Sequence, residues 1–134
     1  RTKAEFNSLL NEADIVLGLS LSEYFGMPEF LSVGLGKHAV MLNAHGYADW
    51  ITSENAVLVQ PSSKVPADDQ IFFRKGNGVF QDGNFFQWKV EDGIVGMEEA
   101  LKRYESNSLN TNGLELQKRT YKETVDKILE ELNK

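Results

Sequence analysis

The chain has 134 residues, of which 41% are hydrophobic and 25% charged, and its formal net charge is −6. This length predicts one domain with one core, and this composition is typical of a soluble globular protein. The acidic balance disfavours a nucleic-acid partner and offers no attraction to anionic lipid. Cysteine is absent, which excludes disulfides and favours the cytoplasm. No apolar run approaches the roughly 18–20 residues of a transmembrane segment.

The first predicted element is an amphipathic helix over residues 2–12, with apolar side chains at helical spacing. Thr2 is placed to cap this helix, and Glu5, three residues later, completes a capping box. The pattern therefore predicts a helix start that is stabilised by its own side chains.

Three short apolar runs predict buried strands at residues 14–19, 38–42 and 56–59. Between them, helices are predicted at about 28–35 and near 47–53. Alternating strands and helices are typical of βαβ units, so we expect an α/β fold with a parallel sheet and flanking helices.

The helix between the first two strands has recognisable ends. Pro28 suits its first turn, because proline lacks an N–H that would be unpaired there in any case. Gly36 suits the position that ends the helix. Phe30, Val33 and Gly34 are predicted to face the sheet.

The loops that follow the three strands should lie together. Ligands of parallel α/β sheets bind outside the carboxyl ends of the strands. We therefore expect residues 19–24, 43–46 and 60–63 to face one crevice.

Residues 62–93 carry turn signals between aromatic runs. Gly-Asn-Gly at 76–78 is typical of a hairpin turn, and aromatic runs at 71–73 and 85–88 flank it. We interpret the region as one or two inserted β-hairpins whose rings pack over the edge of the sheet. A surface for an acceptor or a partner is the alternative.

Two helices are predicted to close the chain, separated by a polar loop at residues 106–113. In the first helix, one apolar stripe should pack inward while Glu98–Lys102 and Glu99–Arg103 pair on the exposed side. The last helix is predicted at about 114–132. The inward stripe comprises Ile94, Met97, Leu101 and Tyr104.

Four segments together resemble a known family. Residues 22–28 read Ser-Glu-Tyr-Phe-Gly-Met-Pro, and Gly-Lys follows at 36–37. This pattern resembles the donor-sugar motif of the GT-B glycosyltransferases of retaining family 4. Residues 43–49 (Asn-Ala-His-Gly-Tyr-Ala-Asp) and 55–61 (Asn-Ala-Val-Leu-Val-Gln-Pro) are similar to two further motifs of that family.

The resemblance implies a fold and an activity. Residues 1–134 would be a single domain, the second half of a Rossmann-like C-terminal domain, cut from a chain with an N-terminal domain. Such enzymes transfer a sugar from a nucleotide-diphosphate donor to the hydroxyl of a glycan or lipid-linked acceptor, without metal or cofactor. The enzyme would be cytoplasmic, or peripheral at a membrane through the missing domain, and the fragment alone would be inactive.

The resemblance also implies site residues. Glu23 would be the catalytic candidate, because a carboxylate can accept hydrogen bonds from sugar hydroxyls and oppose positive charge at the anomeric carbon. A lone loop carboxylate is otherwise most often solvated or a cap. The backbone after Glu23 would approach the diphosphate at a helix N-terminus. The donor-binding candidates are Ser22, Phe25, Gly26, Met27, His45 and Gly46.

One departure from the family leaves the function open. The family's second acid, eight residues after Glu23, falls on Leu31, which accepts no hydrogen bond. Glu29 is the nearest carboxylate, but two helical residues are a rotation of about 200°, so it should face away from the site of that acid. A catalytically silent scaffold or regulatory domain is therefore the alternative, and an unrelated flavodoxin-like domain is a third.

Overall fold

The computed structural model describes residues 2–68 and 83–134. There the chain forms a three-stranded parallel sheet flanked by helices, and a separate two-stranded antiparallel ribbon. This confirms the predicted α/β class and is consistent with part of a Rossmann-like fold. The α-helices are α1 (Lys3–Glu12), α2 (Met27–Gly34), α3 (Val90–Ser106) and α4 (Tyr121–Leu132), and 3₁₀ helices span His45–Asp49 and Gly113–Lys118. The strands are β1 (Ile15–Gly18), β2 (His38–Leu42), β3 (Val57–Val59), β4 (Ser63–Pro66) and β5 (Asn84–Gln87).

The parallel sheet has the order β1-β2-β3, so β2 lies in its centre. Ile15 of β1 is in register with His38 of β2, and Val40 of β2 with Val57 of β3. All five residues of β2 are buried, as expected for a central parallel strand that is covered on both faces. The three predicted strands are therefore confirmed, with shorter ends for β1 and β3.

The predicted helix ends are confirmed for α1 and α2. The hydroxyl of Thr2 accepts from the N–H of Glu5, and the Glu5 carboxylate accepts from the N–H of Thr2, which is the capping box. Gly26 precedes α2 with φ 77°, and Gly36 follows it with φ 84°. Both positions favour glycine, because residues with a Cβ atom rarely adopt a positive φ.

Helix α3 packs on the sheet and on Trp88 through its small residues, contrary to the sequence pattern. Gly93, Gly96 and Ala100 are buried, whereas Ile94 and its stripe neighbours Met97 and Leu101 are exposed. A Cβ atom on Gly96 would lie 2.8 Å from Cγ1 of Val40. The prediction was wrong for Ile94, Met97 and Leu101, because the glycines allow a close approach of helix and sheet that turns these larger residues to the side. Tyr104 is half-buried, and its ring lies 6.2 Å from that of His38 in β2.

The predicted last helix is divided. The 3₁₀ helix Gly113–Lys118 ends before Thr120, whose hydroxyl accepts from the N–H of Glu123 and starts α4. Leu116 is buried, and Gln117 donates to the carbonyl oxygen of Gly34 in α2. These contacts hold the 3₁₀ segment against α2 and prevent one continuous helix. Of the helices in the described ranges, none combines the length and apolar character needed to cross a bilayer.

The antiparallel ribbon confirms part of the predicted insertion. β4 and β5 pair with Val65 opposite Phe85 and Lys64 opposite Phe86. The predicted turn at 76–78 and the aromatic run at 71–73 lie outside the described residues.

Candidate functional site

The loops after β1, β2 and β3 meet at the carboxyl edge of the sheet. The backbone N–H of Gly46 donates to the carbonyl oxygen of Glu23 over 3.1 Å. The Asn43 amide donates to Oε1 of Gln60 over 3.1 Å. Hydrogen bonds thus join all three loops, and we refer to residues 19–26, 43–46 and 60–63 as the crevice loops.

Gly46 allows the first two crevice loops to touch. A Cβ atom at this position would lie 1.6 Å from the carbonyl oxygen of Tyr24 and 2.7 Å from the amide nitrogen of Phe25. No side chain fits there without separating the loops. Gly46 thus has a packing role, independent of any ligand.

His45 is held in one tautomer. Its Nε2 lies 2.9 Å from the carbonyl oxygen of Ser20, and because a carbonyl only accepts, Nε2 carries the proton in this contact. Nδ1 is buried and has no hydrogen-bond partner among the described residues. The ring packs beside Tyr47 and Phe86, with centroids 4.9 and 5.9 Å away. His45 has φ 43°, so this placement requires an uncommon backbone conformation.

The ring of Phe25 packs in the core, and its backbone carbonyl lies in the first crevice loop. The ring lies 5.0 Å from that of Phe30, and Phe30 lies 5.4 Å from Trp50. The carbonyl oxygen of Phe25 accepts from Nε1 of Trp50 over 2.8 Å. Trp50 is fully buried, so this hydrogen bond fixes the turn into α2.

The remaining predicted residues surround that turn. Oε1 of Glu23 accepts from the N–H of Tyr24 over 2.9 Å. Ser22 is exposed and its carbonyl oxygen accepts from the hydroxyl of Ser20. Met27 is exposed at the first position of α2. The structure therefore brings the predicted residues together, with Glu23 and His45 on adjoining loops.

A tyrosine and a second carboxylate at this edge were missed by the sequence reasoning. Tyr47 is 0% exposed, and its hydroxyl donates to Oε1 of Glu29 over 3.2 Å. Burial, then the charge of Glu29 and this hydrogen bond, and then the charge of Glu23 raise the pKa of Tyr47 well above its ordinary value. The phenol is thus protonated and donates to the Glu29 carboxylate. In the sequence, only the position of Tyr47 in the loop after β2, two residues after His45, indicated that it could lie at this edge.

The ribbon forms part of the same region. Nε1 of Trp88 donates to the carbonyl oxygen of Leu19, and the N–H of Phe86 donates to that of Leu21, both over 2.9 Å. Nζ of Lys64 lies 5.4 Å from the centroid of the Phe86 ring, within range of a cation–π contact. The insertion therefore attaches to the crevice loops, which its sequence did not indicate.

Leu31 lies elsewhere. It is 41% exposed and lines an apolar groove of about 480 Å³ between α1, α2 and the second 3₁₀ helix. Leu10, Phe30 and Leu116 share this groove. Glu29 and Leu31 face different sides of α2, as expected for two helical residues. Leu31 faces the groove, and Glu29 lies beside Tyr47 and Gly26 at the crevice loops.

A second cavity, of about 500 Å³, opens at the amino ends of β2 and β3. Its buried polar residues bond to backbone: Asn110 donates to the carbonyl oxygens of Lys37 and Asn55, and Nε2 of His38 lies 2.8 Å from that of Asn107. These side chains hold the surrounding backbone together, so their burial needs no ligand to explain it.

The geometry defines an α/β domain in which the loops after three parallel strands meet at the carboxyl edge of the sheet. Within residues 2–68 and 83–134, no group of three acidic, histidine or cysteine side chains is arranged to hold a metal ion. In comparisons with known proteins, no family model matches the chain and no curated protein matches its sequence.

Proposed function

We propose that the chain is the donor-binding half-domain of a GT-B glycosyltransferase similar to retaining family 4. One observation carries this proposal: residues 22–28, which resemble the family's donor motif, form the turn from β1 into α2 and bond to the loop that follows β2. That position is where parallel α/β sheets bind ligands. The donor would be a nucleotide-diphosphate sugar, and the acceptor a glycan or lipid-linked hydroxyl.

Each site residue would have a distinct role. Glu23 would face the sugar and oppose the positive charge that develops at the anomeric carbon. The backbone of residues 25–27 would approach the diphosphate at the start of α2, with Ser22 and Gly46 beside it. His45 would act through the crevice loops that its Nε2 hydrogen bond to the carbonyl oxygen of Ser20 holds together, since its Nδ1 is buried.

The exposed edge of the sheet supports the proposal that further strands belong to this domain. In the described residues, β1 pairs with β2 alone. Leu17, in the middle of β1, is 48% exposed, although parallel strands are normally covered on both faces. Preceding strands of the same domain would pair with this edge, and an N-terminal domain would carry the acceptor site.

The test uses the full-length protein with UDP-glucose, GDP-mannose and ADP-glucose, with binding measured by calorimetry and transfer by release of the nucleotide diphosphate. Glu23→Gln should lower turnover at least about 100-fold and change donor affinity less than about threefold, because its role lies in the transition state. Glu54→Gln, an exposed acid at the amino ends of the strands, is the matched control. Absence of binding to all three donors would refute the proposal.

A catalytically silent scaffold is the second candidate, and the leucine at position 31 favours it. In that case the full-length protein would bind a nucleotide sugar without transferring it, or bind none. Residues 1–134 alone are expected to turn over no donor in either case, because the fragment would lack one wall of the site. Measurable transfer by the fragment would contradict that expectation.

A further inference from the structure

We propose that two copies of this chain exchange their C-terminal helices, so that α4 of one copy lies in the apolar groove between α1, α2 and the second 3₁₀ helix of the other. This inference does not depend on the proposed function. It assigns a partner to two surfaces outside the crevice loops.

The groove is an apolar surface that the described chain leaves open. Its volume is about 480 Å³, and its lining includes Leu10, Phe30, Leu31, Leu35 and Leu116. Leu31 and Leu35, on successive turns of α2, remain 41% and 47% exposed. A groove that is formed by helices and lined by leucine and phenylalanine suits the apolar face of a further helix.

Helix α4 presents such a face. One stripe of this helix, at three- and four-residue spacing, comprises Val125, Ile128, Leu129 and Leu132. Each of these side chains is at least half exposed, and Leu132 is 76% exposed. Within the described residues, the chain thus carries both an open groove and an amphipathic helix whose apolar face is largely uncovered.

The link between the groove and α4 favours exchange between copies. The 3₁₀ helix Gly113–Lys118 supplies one wall of the groove, and α4 starts after only Arg119 and Thr120. Both link residues are non-helical, and Thr120 is extended with φ −103° and ψ 160°, so they extend the chain rather than turn it back. Short links of this kind favour the exchange of an element between copies, and a two-fold arrangement fills both grooves.

Charge also favours α4 as the occupant. Among the described residues that line the groove, Arg119 alone is charged. One of its N–H groups donates to the carbonyl oxygen of Asp49, and the guanidinium has further donors for a carboxylate. Helix α4 carries four acidic residues and two lysines, a net charge of −2. A cationic groove attracts this acidic helix, whereas two α4 helices packed on each other would repel.

Reciprocal exchange also supplies enough area for a dimer. Specific interfaces bury at least about 1,200 Å² in total, which an exchanged dimer divides among two grooves and two helices, about 300 Å² each. Four aliphatic side chains that are at least half exposed, with the stems of their neighbours, present an area of this order on α4.

The experiment measures the mass of the full-length protein by size-exclusion chromatography with light scattering over a dilution series. The wild type should be a dimer. Ile128→Asp in the stripe and Leu31→Asp in the groove should each raise the dimer Kd about 100-fold or more, because each substitution alters both contacts of a two-fold exchange. Leu101→Asp, at a 48% exposed position on α3, is the matched control and should leave the Kd unchanged. Melting temperatures verify that each variant is folded.

Cysteine cross-linking identifies the occupant of the groove without a variant that dissociates. Residues 1–134 contain no native cysteine, so introduced thiols can be placed at will. Leu31→Cys and Ile128→Cys are prepared separately, mixed and treated with a short bismaleimide. The mixture should yield a two-chain product well above that of either variant alone, with the wild type as the control for other thiols.

A wild type that stays monomeric at about 100 µM would overturn the proposal, since even a weak specific dimer forms at that concentration. A dimer that persists in both Asp variants would also overturn it, because the interface would then lie elsewhere. In a monomer, a cross-link within one chain of the Leu31→Cys/Ile128→Cys double variant would make the chain's own α4 the occupant. Absence of any cross-link would leave both surfaces to another domain or partner, and the proposal would fail.

Discussion

The indole Nε1 of Trp88 donates a 2.9 Å hydrogen bond to the carbonyl oxygen of Leu19, the first residue after β1. The same ring packs against α3, where a Cβ atom on Gly93 would lie 2.5 Å from its Cζ3. Trp88 thus joins the ribbon, the first crevice loop and the start of α3. The inserted segment is in this way a structural part of the crevice.

Trp88→Ala is expected to destabilise the domain by about 2–4 kcal/mol, because it removes a partly buried aromatic that packs against the core and its hydrogen bond. Trp88→Phe should lose only about 1 kcal/mol. Urea unfolding measures both, with Phe6→Ala on the exposed face of α1 as the control. Unchanged stability of Trp88→Ala with weaker binding of a partner would instead favour an interaction surface.

Gly46→Ala should destabilise the protein by about 1–3 kcal/mol, since the added methyl group would overlap the backbone of Tyr24. Gly34→Ala is the matched control. A Cβ there meets only Leu116 at 3.9 Å, so helix propensity should increase stability by up to about 1 kcal/mol. Equal melting temperatures for the two variants would contradict the close approach of the loops.

Asn110→Ala should cost about 1–3 kcal/mol, because Asn110 is buried and its side chain satisfies the carbonyl oxygens of Lys37 and Asn55 and the N–H of Gly113. Asn112→Ala removes an exposed 3.3 Å contact to Glu54 and should change stability by less than about 0.5 kcal/mol. Chemical denaturation distinguishes the two, and similar losses in both variants would refute this account of the second cavity.

The raised pKa of Tyr47 predicts a loss of stability at alkaline pH. Its contribution is fully present below the ordinary phenol pKa of about 10. Above that pH the unfolded chain releases the proton while the folded chain retains it, so stability falls until the folded pKa is reached. The difference in unfolding free energy between wild type and Tyr47→Phe should shrink by about 1 kcal/mol between about pH 10 and 11. A difference that stays constant over that range would contradict the burial of a protonated phenol.

Local interactions made several elements predictable from the sequence. The capping box of Thr2 and Glu5 involves residues three apart, so its spacing is visible in the chain. The run at 38–42 is apolar after His38, as suits a strand that is covered on both faces, and its bounds were predicted correctly. Gly26 and Gly36 flank α2 with positive φ, which glycine adopts readily.

Three features depend on contacts between residues that are distant in the sequence, and only the tertiary structure decided them. The inward face of α3 was set by the close approach of Gly96 to Val40, which outweighed the larger apolar stripe. The ribbon was placed by a hydrogen bond from Trp88 to Leu19, 69 residues apart. The pairing of Tyr47 with Glu29 required the loop after β2 to fold over the start of α2. Sequence periodicity predicts which side chains share a face, but only packing determines what that face meets.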